Sequence, residues 1–251
     1  MRAKWTDKLK EAIARETASV VALRRELHQI PEPGYEERET AAAILEFIGD
    51  VPGVEIRAGV AGTGIIATLG RGKPGPCVAL RADMDALPIE EETALAYRSR
   101  RPGWMHACGH DGHSAIQAGV VRIIGELQDH LRGPVKFLFQ PAEEGGGGAR
   151  RMMAENALEN PGVAGIFALH GWPSLPLGSI AARDGPFFAG TCNFDIRVTA
   201  SGGHAALPHL TGDPVAIASQ IVTVAQSLVS RRVDPIKAAA VSFTGFHAGG
   251  A

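Results

Sequence analysis

Short apolar runs of strand length alternate with stretches of helical periodicity between Leu9 and Leu169, and this alternation restricts the fold of the 251-residue chain more than any other feature. Leu9, Ile13, Val20, Leu23 and Leu27 recur at steps of three, four and seven, which predicts an opening helix that ends before Pro31. A second helix is expected over 37–48. A third is expected over 113–127, where Ile116, Val120, Ile124 and Leu127 repeat with the helical period. The segments 54–56, 64–69, 78–81, 135–140 and 165–169 are short and apolar, as strands are. Strands alternating with helices imply a layered α/β fold with a largely parallel sheet. After Gly185 the texture changes to a longer alternating strand over 191–199, a glycine-rich turn, a helix over 214–230 and a strand around 239–244. The chain is therefore divided into a larger α/β domain over 1–185 and a smaller α/β unit over 186–251.

Ligands of open α/β sheets bind at the loops beyond the carboxyl ends of strands, so polar clusters that follow apolar runs mark where chemistry is expected. Arg81 to Asp85 follows one run, Glu143-Glu144 another and His170 a third, while Cys108 to His113 opens a helix. The charge balance narrows the partners. With 25 basic and 27 acidic residues, a formal net charge of −2, the chain lacks the electrostatic footprint of a protein that binds nucleic acid or an anionic membrane. Its first residues alternate charges through Lys4, Asp7, Lys8, Lys10 and Glu11 without a signal-peptide pattern. No apolar run approaches the roughly 20 residues that cross a bilayer. The 3 cysteines are irregularly spaced and make no disulfide framework, so a soluble cytoplasmic protein is expected.

The densest cluster is His106-Ala107-Cys108-Gly109-His110-Asp111-Gly112-His113. Zinc-like metals accept thiolate, imidazole and carboxylate together. Cys108 and His110, two apart, diverge on a regular helix and share a target only in an irregular turn, which Gly109 and Gly112 favour. The same residues also read as a cysteine–histidine nucleophile pair, or as histidines that merely cap a helix. Phe139-Gln140-Pro141-Ala142-Glu143-Glu144-Gly145 supplies paired carboxylates. On an extended strand exit their side chains point in opposite directions, so one can bind metal while the other reaches the attacking water. An exposed acidic turn is the plainer alternative. The glycine run after it lacks a following Lys-Ser/Thr, which disfavours a phosphate loop. His170, in Ala168-Leu169-His170-Gly171-Trp172, ends a strand where a further ligand is expected, and Asp83 or Asp85 can orient a ligand imidazole or cap a helix.

Taken in order, these segments resemble the M20 metallopeptidases, in the aminoacylase, hippurate hydrolase and auxin-conjugate hydrolase branch. The matching motifs are Leu27-His28 through Pro33-Gly34-Tyr35-Glu36-Glu37, the segment from Leu80 to Pro88, the cluster from His106 to His113, the run from Phe139 to Gly145, His170-Gly171, and Gly202-Gly203-His204-Ala205-Ala206-Leu207-Pro208-His209. The resemblance implies a metallohydrolase catalytic domain with an inserted lid or dimerisation domain. It further implies two divalent metal ions, of zinc, manganese, cobalt or nickel. Cys108 would be the bridging thiolate, His110, Glu144 and His170 further ligands, Glu143 the general base and Asp83 an orienting carboxylate outside the ligand set. His204 resembles the lid histidine that crosses a dimer interface to the oxyanion. Arg81 stands where many other members of the family place a metal-binding histidine.

The implied reaction is hydrolysis of the amide of a small N-acyl amino acid, of the acetyl or hippurate type, by a homodimer. Relatives continue past Ala248-Gly249-Gly250-Ala251 to complete the lid and return a last histidine ligand. The resemblance therefore implies a C-terminally truncated chain with an incomplete ligand set, and a non-catalytic metal-binding or dimerising remnant is the competing expectation.

Overall fold

The computed structural model describes residues 2–188 and 190–249, and the apolar runs of the first part become the strands of one sheet. Along the chain come α1 (Arg2–Gln29), α2 (Arg38–Ile48), β1 (Glu55–Val60), β2 (Gly64–Leu69), β3 (Cys77–Asp83), α3 (His110–Glu126), β4 (Val135–Gln140), α4 (Gly148–Ala154), β5 (Val163–Ala168) and α5 (Pro214–Arg232). The chain separates into two units, Met1–Leu175 and Pro176–Ala251.

The sheet of the first unit has the order β1-β2-β4-β3-β5. The expected largely parallel sheet is corrected to a mixed one: β4, β3 and β5 are parallel neighbours, but β1 pairs with β2, and β2 with β4, in antiparallel fashion. The cause is a hairpin. Ala61 and Gly62 both take positive φ, 55° and 101°, in the short loop joining β1 to β2, and strands joined that tightly can only run antiparallel. Arg57-Ala58-Gly59 interrupts the apolar run, which shortened the strand expected at 54–56. β1 lies at the edge and is exposed over most of its length, whereas β2 is buried throughout.

Leu27, Ile44, Ile48, Ile65, Leu69, Val121, Phe137 and Phe139 are fully buried where α1, α2 and α3 meet the sheet. Burying a Leu, Ile or Phe side chain contributes about 1.5–3 kcal/mol, so this cluster fixes where α3 lies. Helix α3 starts at His110, ahead of the expected 113, and its buried face runs through Ala115, Ala118 and Val121, while Ile116 is 46% exposed. Small residues line that face because neighbours come close: a Cβ on Gly119 would overlap Val20 of α1, and one on Gly125 would overlap Val51. Helix α4, unforeseen in the glycine run, follows Gly147, whose φ of 70° turns the chain into it.

In the second unit, α5 is capped by Asp213, which accepts the Ala216 amide at 2.9 Å, with Pro214 in its first turn. The strands expected over 191–199 and 239–244 are corrected: the described residues of these segments form no ladder. Phe194 and Phe243 still meet edge to face with centroids 5.7 Å apart. Helix α5 buries no residue, and an isolated two-stranded ribbon without an apolar face to cover it is marginal in water. Among the described residues no helix is long and apolar enough to cross a membrane.

Candidate metal centre

The three parallel strands carry the site. Asp83 ends β3, the Glu143-Glu144 pair follows β4, and His170 follows β5, so the strand order β4-β3-β5 delivers all three segments to the same end of the sheet. Helix α3 begins there too. Gly109 is left-handed at φ 84° immediately before His110, and this turn lets Cys108 and His110 face one point where a continuous helix would separate them.

Cys108, His110 and His170 each offer a ligand atom within 4.8 Å of the others, and so do His110, Glu143 and Glu144. Cys108 Sγ and His170 Nε2 lie 3.4 Å apart. In both histidines the second nitrogen is committed to a backbone carbonyl: His110 Nδ1 donates to Asp85 O at 2.8 Å, and His170 Nδ1 donates to Gly171 O at 2.7 Å. That leaves Nε2 of each ring with its lone pair turned to the shared point, the usual arrangement of metal-binding imidazoles. Among the described residues His110 Nε2 is buried with no hydrogen-bond partner, 3.8 Å from Glu144 Oε1 and 3.7 Å from Asp83 Oδ2. A buried acceptor surrounded by carboxylates and a thiol is what a divalent cation satisfies.

The electrostatics agree. Burial, and then the neighbouring Glu144 carboxylate, push the Cys108 thiol up to about 12, so at neutral pH it stays protonated unless a cation is coordinated. Burial followed by the charge of Glu144 also raises the Glu143 carboxyl. Asp83 goes the other way. Burial opposes its ionisation, but the His113 hydrogen bond and then the neighbouring His110 and Arg81 outweigh this and hold it down at about 2.

The acidic pair departs from the extended exit expected for it. Ala142 is left-handed at φ 49°, and Gly145 N–H closes a tight turn on Glu143 O at 2.7 Å, so both carboxylates converge on His110 instead of diverging. Buried Glu37 pins this turn by accepting the Ala142 amide at 2.8 Å and the Thr63 hydroxyl. Asp85 Oδ2 accepts the Glu144 amide at 2.9 Å, and Tyr35 donates to Gly146 O at 2.6 Å.

Asp83 Oδ2 lies 3.7 Å from His110 Nε2, beyond hydrogen-bond distance, and its Oδ1 accepts from His113 Nδ1 at 2.7 Å. His204 belongs to the second unit, where its Nδ1 accepts the Ala206 amide at 3.1 Å. Sequence reasoning gave no role to Glu37, Asp111 or His28. His28 Nδ1 lies 2.7 Å from Asp111 Oδ2, which Arg24 also approaches at 3.0 Å, tying α1 to the first turn of α3. A detectable signal was present: an acidic residue at the very start of an apolar helix, as at Glu37 and Asp111, is well placed to bind backbone amides or a neighbouring base.

Residues 79–249 match the model of peptidase family M20/M25/M40, and the chain belongs to that family. It is 47% identical over 235 residues to IAA-amino acid hydrolase ILR1-like 2 of Arabidopsis thaliana, covering 92% of this chain and 52% of the relative. It is 42% identical to N-acetyl-L-cysteine deacetylase of Bacillus subtilis, covering 88% of this chain and 52% of the relative. The chain thus spans about half the length of these curated relatives. Among solved structures, a putative aminohydrolase of methicillin-resistant Staphylococcus aureus superposes with a TM-score of 0.80 at 34% identity, over 97% of this chain and 64% of that one. The Bacillus subtilis YXEP protein, described as a dinuclear metal binding peptidase of the M20 family, gives 0.64 at 40% identity over 67% and 47% of the two chains.

Proposed function

We propose that the chain supplies the dinuclear metal centre of an amidohydrolase that cleaves N-acyl amino acids into a carboxylic acid and an amino acid. The observation that carries this is the convergence of Cys108, His110 and His170 on one side and Glu143 with Glu144 on the other, with both ligand imidazoles turned by backbone carbonyls. Cys108, His110, Glu144 and His170 would hold two divalent ions, which when bound lower the pKa of a water toward neutrality and polarise the amide carbonyl. Glu143, its carboxyl raised by burial and by Glu144, takes the proton of the attacking water and returns it to the leaving amine. Asp83 orients from outside the ligand set, and His204 donates to the tetrahedral oxyanion. The names of two relatives, an IAA-amino acid hydrolase and an N-acetyl-L-cysteine deacetylase, support the substrate class.

The reading extends to the segment 186–251 as a lid and dimerisation unit beside a catalytic domain over 1–185, with a homodimer acting in the cytoplasm. A cysteine nucleophile is disfavoured because the Cys108 thiol is held at about 12 next to two carboxylates. The test follows release of free amine from N-acetyl and N-benzoyl amino acids in the presence of Zn, Mn, Co or Ni. It is run on the 251-residue chain and on a version extended with the remaining segment of the Bacillus deacetylase. Metal-dependent release that disappears in Glu143→Gln supports the proposal; extended protein that binds metal but releases no amine sinks it in favour of a non-catalytic metal-binding protein.

A further inference from the structure

His113 lies in the first turn of α3 and is buried, yet it has no part in the ligand set proposed above. Both its ring nitrogens are engaged. Gly171 N–H donates to His113 Nε2 at 2.8 Å, which requires a lone pair there, so the ring proton sits on Nδ1 and donates to Asp83 Oδ1 at 2.7 Å. Asp83 is itself fixed, because its Oδ2 accepts from Arg81 at 2.7 Å and its carbonyl accepts from the Ser114 hydroxyl at 2.7 Å. The imidazole is therefore a neutral spacer of set tautomer between the end of β3 and the segment after β5.

That segment has little apolar burial to hold it. Leu169 and Trp172, which flank His170-Gly171, are 52% and 53% exposed. The Gly171 backbone is instead held at both ends, its N–H by His113 and its carbonyl by the ring of His170. The two rings stack obliquely with centroids 4.6 Å apart. We propose that His113 is a positioning residue: by clamping the Gly171 amide against Asp83 it aims His170 Nε2 at Cys108. The alternative, that His113 is itself a ligand, requires one of these hydrogen bonds to break.

This inference rests on the metal-centre reading, and it is tested both with and without metal. In the metal-free 251-residue chain, ¹⁵N NMR of the histidine rings should show His113 protonated at Nδ1, and the Gly171 amide should be protected from hydrogen exchange. Co(II) titration followed by visible absorption then compares wild type with His113→Gln, His113→Asn and His113→Phe, with thermal melts confirming that each variant folds. Gln places an amide oxygen near the position of Nε2 and can still accept from Gly171, whereas Asn reaches only Asp83. Loss of an outer partner of a ligand typically weakens metal binding 10–100-fold. Asn and Phe should show that loss, and Gln should retain most of the affinity and the wild-type spectrum.

The proposal is overturned by an Nε2–H tautomer, by Co(II) affinity that is equal in all variants, or by a Gln variant as weak as Phe, which would make His113 a direct ligand. A wild-type chain that takes up no Co(II) counts against the metal centre instead, and the tautomer still decides the clamp.

Discussion

Removing the Glu37 carboxylate should loosen the turn that brings the acidic pair together. Glu37 is fully buried, and its oxygens satisfy the buried Ala142 amide at 2.8 Å and the Thr63 hydroxyl. In Glu37→Ala the Thr63 hydroxyl, on a partly exposed residue, can turn to water, but the buried Ala142 amide cannot. Leaving one buried donor unpaired costs about 1–3 kcal/mol, and a hydrogen bond to a charged group is itself worth about 1.5–3 kcal/mol. With the space left by the side chain, the loss should come to about 3–5 kcal/mol, a large share of the roughly 5–15 kcal/mol that stabilises a domain. At about 2–4 °C per kcal/mol for a domain of this size, the melting temperature should drop on the order of 10 °C. Glu37→Gln keeps an oxygen for the Ala142 amide and a group for Thr63 and should lose less than half as much. Urea unfolding followed by circular dichroism measures both. If Glu37→Ala unfolds within about 1 kcal/mol of wild type, the carboxylate does not hold the turn and the account of the converging glutamates is wrong.

Glu143→Gln should leave metal content nearly unchanged and lower amide hydrolysis by about 10²–10⁴-fold in protein extended to the family length, read by metal analysis and amine release. Cys108→Ser should lose metal on dialysis, since a hydroxyl ionises poorly at neutral pH; unchanged stoichiometry would remove Cys108 from the site. His106, which burial holds down at about 4 and whose ring nitrogens have no partner among the described residues, stays neutral in the folded chain while the unfolded chain takes up a proton below about 6.5. Its contribution is thus lost as pH falls from about 6.5 toward 4, by up to about 3 kcal/mol, and His106→Leu should flatten the fall in urea stability over that window. A variant curve parallel to wild type would refute this.

The residues that carry chemistry were legible because they follow apolar runs, and a parallel trio of strands brings such positions to one end whatever the rest of the sheet does. Glu143, Glu144 and His170 converge for that reason, and the start of α3 brings Cys108 and His110 to the same end. The hairpin of β1 and β2 was hidden because Arg57 to Gly59 breaks the apolar pattern on an exposed edge. The periodicity of α3 announced the helix but not the small residues of its packed face, because large residues mark a helix face only when space is ample. Where Val20 and Val51 press against Gly119 and Gly125, glycine and alanine are the packed positions, and Ile116 is left outside.

How the ligand atoms are aimed was less legible still, because backbone groups do most of the aiming. The Asp85 carbonyl sets the tautomer of His110, the Gly171 carbonyl sets that of His170, and the Gly171 amide sets that of His113. Any residue has a carbonyl, so no side-chain pattern announces these bonds. The acidic pair shows the converse. Its convergence depends on a left-handed alanine, an unfavourable place for a side chain, which persists because Glu37, Asp85 and Tyr35 bind the amides and carbonyl around it. A motif for this centre therefore extends from the ligands to the carboxylates that hold the ligand loops. Substitutions at Glu37 and Asp85 should alter metal affinity although neither belongs to the proposed ligand set, because the atoms they hold are the Ala142 amide, one residue before Glu143, and the amide that joins Glu143 to Glu144.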